Sequence, residues 1–402
     1  MKTKAVLAFS GGLDTTYCAV WLREQGYAVH SVTVQTGGFD ADELAAIERR
    51  AAELGVERHT TLDARAELVD RYLRYLIYAN ALRGDAYPLC VAAERIEQAR
   101  RCARHAVELG AGALAHGSTG AGNDQVRFDV AFRVFAPGVA VLTPIRSQRL
   151  TRQQETDFLA AHGVSVPAKT TAYSVNRGLW GATIGGRETH RSDTPLPEEA
   201  YVMTASPADR PAAPADVELA FERGMPVAID GSRLDPVALI EALNERAGGH
   251  GVGRGMHVGD TIFGFKGRVA FEAPAAVTLI AAHRELEKLV LSRQQQFWKR
   301  TLGELYGAAL HEARFFDPLL RDLEAFLVSS QQRVTGRVGV RLFQGAATVL
   351  GADGPQSLMN LGGVKYGEEN AAWDGAEAAA FCKIYGLQDA LLEQAGRAAE
   401  AG

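Results

Sequence analysis

One stretch, Phe9-Ser10-Gly11-Gly12-Leu13-Asp14-Thr15-Thr16, lies between the first apolar run of the chain and its first helical pattern. Its two adjacent glycines let the backbone turn tightly and approach an anion closely. A helix that begins there presents free N–H groups and the positive end of its dipole. The hydroxyls of Ser10, Thr15 and Thr16 add donors, so the stretch predicts a loop that binds a pyrophosphate group. It lacks the Gly-Lys-Ser/Thr ending of a Walker A loop.

Asp14 needs a different explanation, because a carboxylate does not bind phosphate directly. We expect it to hold Mg²⁺ or to organise the loop. A plain Gly-Gly turn capped by an aspartate is the alternative for a lone Ser-Gly-Gly. The complete Ser-Gly-Gly-x-Asp-Thr pattern directly after a strand is more specific and favours the phosphate loop.

Short apolar runs alternate with amphipathic stretches on both sides of this loop. The runs predicted as strands are Ala5–Phe9, Val29–Val34, Arg58–Leu62, Ala113–His116 and Ala140–Leu142. Strands separated by helices run parallel with right-handed crossovers. Residues 1–165 are therefore predicted to form an α/β domain with a doubly wound parallel sheet.

The rest of the chain has a different pattern. Residues 185–216 are rich in Gly, Pro, Thr and Ala, which is typical of a long connection. Beyond it, alternating runs and helical patterns predict an α+β domain over residues 166–365, including one long helical region, Ala275–Leu310. An Ala- and Glu-rich helix is expected in residues 366–402.

Composition excludes several classes of protein. The net charge of −5 gives no basic field for nucleic acid. The four cysteines are scattered without a Cys-x-x-Cys pair, which favours reduced thiols over zinc sites or disulfides. The N-terminal apolar run is too short for a signal peptide, and no segment approaches the ~20 apolar residues of a membrane span. We expect a cytoplasmic protein with no nucleic-acid or membrane partner.

A second motif, Ala115-His116-Gly117-Ser118-Thr119-Gly120-Ala121-Gly122-Asn123-Asp124-Gln125-Val126-Arg127-Phe128, again follows a predicted strand. It therefore lies at the carboxyl edge of the sheet, where open α/β folds bind ligands. Asp124 can pair with an ammonium, whereas Thr119 and Asn123 can donate to carboxylate oxygens. An ordinary i,i+3 pair of Asp124 and Arg127 on a helix surface is the alternative.

The first loop resembles that of the N-type ATP pyrophosphatases, and with the second motif the chain resembles the argininosuccinate synthase family from end to end. Further matching stretches are Tyr87-Pro88-Leu89, Ala172-Tyr173-Ser174, Leu179-Trp180-Gly181, Gly251-Val252-Gly253-Arg254, Glu272-Ala273-Pro274-Ala275, Ala281-Ala282-His283-Arg284 and Gln332-Arg333-Val334-Thr335-Gly336. The resemblance implies an AMP-forming carbon–nitrogen ligase: ATP adenylates a substrate oxygen, pyrophosphate leaves, and the aspartate amine displaces AMP. It also implies a homotetramer in which the C-terminal helix reaches neighbouring subunits.

The resemblance assigns roles position by position. It implies an ATP site made of Ala8, Ser10, Gly11, Gly12, Asp14, Thr15, Thr16, Val34 and Gly117. It implies aspartate binding by Thr119, Asn123 and Asp124. Second-substrate positions are Tyr87, Asn123, Arg127, Ser174, Thr183, Gly259 and Phe271. Asp14, Arg95 and Arg127 are the expected catalytic residues, with ATP and Mg²⁺ as cofactors.

Several of the second-substrate positions depart from the family pattern. A Gly-Thr step is Cys90-Val91, a serine is Thr183, an acidic residue is Gly259 and a tyrosine is Phe271. An unpaired substrate ammonium in a buried site costs about 3–5 kcal/mol. Since the departures concern one substrate only, we expect a ureido or carboxyl acceptor other than citrulline.

Three alternatives stay open. The first is the ordinary reaction of citrulline, with Asp260 replacing the lost acidic group. The second is ATP-dependent tRNA thiolation, which shares the loop but normally brings a basic surface and paired cysteines. The third is a binding protein without catalysis, which the intact loop and Asp124 motif disfavour. We interpret Cys90 as a small buried residue rather than as a reactive thiol, because no activating neighbour is visible in the sequence.

Overall fold

The computed structural model of the protein describes residues 2–165, 173–361, 363–368 and 371–400. Its N-terminal part contains one five-stranded sheet made of β1 (Lys4–Ala8), β2 (Ala28–Gln35), β3 (Arg58–Asp63), β4 (Ala113–Ala115) and β5 (Ala140–Leu142). The order across the sheet is β3-β2-β1-β4-β5, and every pairing is parallel. The predicted doubly wound α/β fold is confirmed.

Helices cover both faces of this sheet. They are α1 (Leu13–Glu24), α2 (Ala41–Glu53), α3 (Arg65–Leu68), α4 (Arg74–Ala79), α5 (Ala92–Leu109), α6 (Asp124–Phe135), α7 (Pro144–Gln148) and α8 (Arg152–Ala161), with a π-helical segment, Val69–Leu73, between α3 and α4. Adjacent residues of β1 point to opposite faces. Leu7 packs in one apolar cluster with α1, whereas Val6 packs in another with α5 and α6. The two layers fix β1 at the centre of the domain.

The strand order creates a crevice beside β1. From β1 the chain continues to β2 on one side, whereas β4 pairs with β1 on the other side. The loops that leave the carboxyl ends of β1 and β4 therefore diverge around a switch point, where open α/β sheets bind ligands. The phosphate loop and the Asp124 motif are these two loops.

The second part is built on two antiparallel sheets. Its strands are β6 (Ser174–Gly178), β7 (Gly181–Gly185), β8 (Ala215–Glu222), β9 (Met225–Ile229), β10 (Ser232–Arg233), β11 (Arg254–Asp260), β12 (Lys266–Glu272), β13 (Gly336–Phe343) and β14 (Ala346–Asp353). One sheet has the order β11-β12-β7-β6 and the other β10-β9-β8-β13-β14. Residue 166, where we predict this domain to start, and the matching position Ala172 lie outside the described residues.

Five helices accompany these sheets: α9 (Pro236–Gly249), α10 (Pro274–Val290), α11 (Arg293–His311), α12 (Pro318–Gln331) and α13 (Leu358–Leu361). The prediction of a single helical region over Ala275–Leu310 is wrong. Ser292 lies between α10 and α11 with an extended backbone, and its side chain accepts a hydrogen bond from Gln295 N. This N-cap starts a new helix there.

The C-terminal segment also forms two helices, α14 (Gly375–Tyr385) and α15 (Leu387–Glu400), rather than the single helix expected. Neither helix has a buried side chain. Large apolar side chains are instead exposed at Phe381, Ile384, Tyr385, Leu387, Leu391 and Leu392. Across the described ranges, no helix combines the length and apolarity needed to cross a membrane.

Candidate active site

One cavity of about 940 Å³ begins at the switch point and extends to the sheet β11-β12-β7-β6. That volume is at the upper end of ordinary ligand pockets. Sixteen of the predicted site residues line it: Ala8, Ser10, Gly12, Asp14, Thr15, Val34, Tyr87, Arg95, Gly117, Thr119, Asn123, Asp124, Arg127, Ser174, Thr183 and Gly259. Gly11, Thr16 and Phe271 do not line it, although the sequence predicts them there.

The part of the cavity lined by residues 8–15 and Gly117 is called the nucleotide end. Gly11 has φ +74°, a left-handed conformation that favours glycine. Thr16 is fully buried, and its hydroxyl donates to Gly11 O over 3.3 Å. These two residues therefore shape the loop from behind. Ser10 and Thr15 face the cavity with their hydroxyls 3.3 Å apart.

The two loops of the switch point meet closely at Gly117. A Cβ at this position would lie 3.1 Å from the Cβ of Asp14, so a larger residue would press on the first turn of α1. Behind Asp14, α8 supplies the buried Glu155, one of whose carboxylate oxygens has no hydrogen-bond partner. Burial and the neighbouring Asp14 carboxylate raise the pKa of Glu155 to about 8. Glu155 was not predicted from the sequence, because nothing in the pattern of its helix marks it.

Asp124 lies at the start of α6, between two arginines. Its Oδ2 accepts from Arg95 Nε over 2.9 Å, and its Oδ1 accepts from Arg127 Nη1 over 2.8 Å. Burial alone would raise the pKa of Asp124, but the two guanidinium groups hold it below its usual value. Arg127 is only 4% exposed. The i,i+3 pair of Asp124 and Arg127 is therefore not on an open helix surface: Arg127 is buried and Asp124 is partly buried at the cavity wall.

Asn123 links the two parts of the protein. Its Oδ1 accepts a hydrogen bond from Ile262 N, in the β11–β12 hairpin, over 2.9 Å. Because the oxygen is engaged, the amide NH₂ is the group left to bind a ligand. A carboxylate is the natural partner of such a donor, together with the hydroxyl of Thr119.

The opposite part of the cavity, lined by Tyr87, Thr183, His257, Gly259 and His311, is called the acceptor end. The Tyr87 hydroxyl donates to Cys90 O over 2.6 Å, so its ring rather than its hydroxyl faces the cavity. Cys90 is fully buried, and its thiol contacts Trp180 O at 3.6 Å. Burial raises the pKa of this thiol, so Cys90 stays protonated and a reactive role is not supported.

Gly259 leaves a gap that a neighbour fills. His257 precedes it by two residues on β11, and its Nε2 lies 2.5 Å from where a Cβ of residue 259 would be. The imidazole stacks on the Tyr87 ring, with centroids 5.5 Å apart and an interplanar angle of 22°. An imidazole thus occupies the position of the missing acidic side chain.

Phe271 is 3% exposed and lies behind Tyr87, with ring centroids 5.3 Å apart. Asp260, which the first alternative puts in place of the lost acidic group, lines the cavity but already has a cation partner. Its carboxylate lies 2.7 Å from Lys266 Nζ, and both side chains are more than half exposed.

Neither histidine of the acceptor end was predicted from the sequence. His257 could have been found, because alternate residues of a strand share a face and Gly259 was already singled out. His311 ends α11 and is brought in by tertiary packing alone. Its backbone O accepts from Arg127 Nη2 over 3.0 Å, and its Nδ1 lies 3.2 Å from the same nitrogen.

Comparison with known proteins agrees with this geometry over the whole chain. The Arginosuccinate synthase N-terminal HUP domain matches residues 4–165, and the Arginosuccinate synthase C-terminal domain matches residues 173–392. The argininosuccinate synthase of Methanocaldococcus jannaschii is 42% identical over 394 residues and 98% of each chain. The chain belongs to the argininosuccinate synthase family.

Other argininosuccinate synthases give the same result. That of Xanthomonas campestris pv. campestris is 39% identical over 98% of each chain, and that of Rubrobacter xylanophilus is 38% identical over 96% of this chain and 93% of its own length.

As a member of this family the protein is an ATP-dependent, AMP-forming carbon–nitrogen ligase with ATP as a substrate. The tRNA-thiolation and non-catalytic alternatives are set aside. The names of the relatives favour the ordinary reaction over an acceptor other than citrulline.

Proposed function

We propose that the protein uses ATP to adenylate the ureido oxygen of an acceptor, releasing pyrophosphate, and that the aspartate amine then displaces AMP. In the ordinary reaction the acceptor is citrulline, which the relatives favour. One observation carries the proposal: a single cavity joins the phosphate loop, the Asp124 motif and the acceptor end. All three reactants therefore have a site within reach of one another.

At the nucleotide end, the N–H groups that begin α1 and the hydroxyls of Ser10 and Thr15 bind the β- and γ-phosphates. Such donors are fixed before the reaction, so they stabilise the charge that develops on the leaving pyrophosphate. Asp14 lines the cavity beside them and is a suitable ligand for Mg²⁺, which usually takes one or two carboxylates together with phosphate oxygens. When bound, Mg²⁺ neutralises phosphate charge.

The aspartate site is proposed next to it. The Asn123 NH₂ and the Thr119 hydroxyl donate to the carboxylates of aspartate, and Asp124 accepts from its ammonium. Because Arg95 and Arg127 already hold both Asp124 oxygens, the carboxylate is fixed in position and kept ionised. The ammonium must lose one proton to expose its lone pair before it attacks, and the adduct loses a second proton when AMP leaves.

A second candidate is an acceptor other than citrulline. The observation that favours it is the acceptor end itself, where Gly259 carries no side chain and Phe271 lies outside the cavity wall. Neither position supplies an acidic or hydroxyl group to an α-ammonium.

We also propose a cytoplasmic homotetramer with no nucleic-acid or membrane partner, and the division of the chain into residues 1–165, 166–365 and 366–402. The exposed apolar side chains of α14 and α15 support the tetramer, because a second chain would cover them.

The test is pyrophosphate and AMP release from ATP, aspartate and citrulline, with each substrate omitted in turn. We expect pyrophosphate release to require a ureido compound, and steady-state AMP release to require aspartate and a ureido compound together. Release of AMP that is indifferent to aspartate would rule out the proposed ligation.

A further inference from the structure

The acceptor end contains two histidines whose Nε2 atoms are buried and lack a hydrogen-bond partner among the described residues. Both His257 and His311 line the cavity. A buried polar atom without a partner costs about 1–3 kcal/mol, which a bound ligand can recover. The two atoms therefore mark where a ligand group is expected.

The protonation of His311 follows from its neighbour. Arg127 is a donor only, and its Nη2 lies 3.2 Å from His311 Nδ1, so this nitrogen must be the acceptor. The single proton of the neutral ring is then on Nε2. Burial, followed by the charge of Arg127, lowers the pKa of His311 to about 3, so the ring is neutral at physiological pH. His311 thus presents an unused N–H donor.

His257 is neutral for similar reasons. Burial lowers its pKa, and the nearby Arg83 guanidinium lowers it further. Arg83 lines the same cavity and donates to Asp260 O over 2.8 Å. The charge at this end is therefore set by Arg83 and by the Arg127–Asp124 ion pair rather than by the imidazoles.

The carboxylates that line the cavity already have partners or belong to another part of it. Asp124 is paired with Arg95 and Arg127 and is assigned above to the ammonium of aspartate, and Asp260 is paired with Lys266. Glu43 is paired with Arg177, and Asp14 belongs to the nucleotide end. In the part of the chain that the structure describes, no lining carboxylate is left to receive an ammonium at the acceptor end.

We propose that His257 and His311 determine acceptor specificity by binding a carboxylate of an acceptor that has no free ammonium beside it. The acceptor class is an ω-ureido carboxylic acid. His311 Nε2–H donates to one carboxylate oxygen, and a carboxylate selects the tautomer of His257 that donates from Nε2. Arg83 supplies charge complementarity. The inference rests on the proposed adenylation of a ureido oxygen. It names the acceptor class for the second candidate function, in which the acceptor is not citrulline.

The test compares citrulline with 5-ureidopentanoate, which is citrulline without its α-amino group. With ATP and aspartate saturating, kcat/KM for 5-ureidopentanoate should exceed that for citrulline at least tenfold. A smaller ratio overturns the inference, while AMP formation from citrulline would leave the proposed function intact.

His257→Glu should reverse the preference, because it returns a carboxylate to the acceptor end. The KM values for ATP and aspartate should stay within twofold of wild type. His190→Ala, at an exposed histidine outside the cavity, is the matched control and should keep the wild-type preference. An unchanged preference in His257→Glu overturns the role of His257. If that variant does not fold, His257→Leu decides, since it removes the N–H donor at similar size: the KM for the acceptor alone should rise, and an unchanged acceptor KM overturns the role of His257.

Calorimetry separates this inference from the proposed function. In the presence of a non-hydrolysable ATP analogue, 5-ureidopentanoate should bind at least tenfold more tightly than citrulline even if neither yields AMP. Equal or reversed affinities overturn the inference whatever the activity.

Discussion

The nucleotide end of the cavity comes mainly from one loop and helix start, with Gly117 from a second loop, whereas the acceptor end is assembled from β7, β11, the segment before α5 and the last residue of α11. The phosphate site proposed for the nucleotide end relies largely on backbone N–H groups, which most substitutions leave in place. The acceptor end binds through side chains that point inward from separate elements. A family can therefore retain its ATP chemistry while the side chains of its acceptor end vary, and the second candidate function depends on Gly259 and His257 at that end.

The largest effect is expected at the nucleotide end. Asp14→Asn should lower AMP production at least ~100-fold, because it weakens the Mg²⁺ and pyrophosphate organisation on which the leaving group depends. The measurement is the steady-state rate of AMP formation. Asp42→Asn, at an exposed aspartate in the first turn of α2, is the control and should keep the wild-type rate. A normal rate for Asp14→Asn would show that the loop is misassigned.

Between the two ends, Asp124→Asn should raise the KM for aspartate at least ~10-fold, since a neutral amide replaces the carboxylate that receives the ammonium. The KM for ATP should change less than ~threefold, as expected for a contact made to one substrate. Equal increases in both KM values would indicate that Asp124 supports the whole cavity through Arg95 and Arg127.

At the acceptor end, Gly259→Glu with Phe271→Tyr should fail to improve citrulline activity, because the His257 Nε2 lies 2.5 Å from the required Cβ position. His257→Ala with Gly259→Glu clears that space. It should raise kcat/KM for citrulline at least ~fivefold over wild type, about 1 kcal/mol of recovered contact. If Gly259→Glu with Phe271→Tyr alone restores citrulline activity, the steric argument is wrong.

The smallest effect on activity is expected from Glu155→Gln, which retains the shape of the protonated carboxyl behind Asp14. Its effect is on stability. The folded pKa of Glu155, about 8, is raised above that of an unfolded glutamate, near 4.3, so the wild type loses stability as pH rises between these values. Between pH 5 and pH 8.5 the free energy of unfolding of the variant should therefore rise by at least ~1.4 kcal/mol relative to that of the wild type. Urea denaturation at the two pH values measures this, and a constant difference contradicts it.

The sequence predicted the parallel sheet, the phosphate loop and the Asp124 motif because each depends on neighbouring residues and a strand–loop–helix order. It assigned Gly11 and Thr16 to the ATP site, and in the structure the Thr16 hydroxyl donates to the Gly11 carbonyl behind the cavity wall. It could not place His311, whose position depends on the packing of α11 against α5. The roles of the individual site residues and the domain division stay predictions.

The exposed apolar face of α14 and α15 also has a thermodynamic consequence. Helices this short are marginal in water unless another surface covers them. If that surface is a second chain, the order of the tail follows mass action, and the thermal midpoint of the protein rises with its concentration. Diluting the full chain should lower the midpoint, whereas a chain ending at residue 370 should melt at a temperature that dilution does not change. The stability of the folded state would then depend on protein concentration as well as on the contacts within one chain.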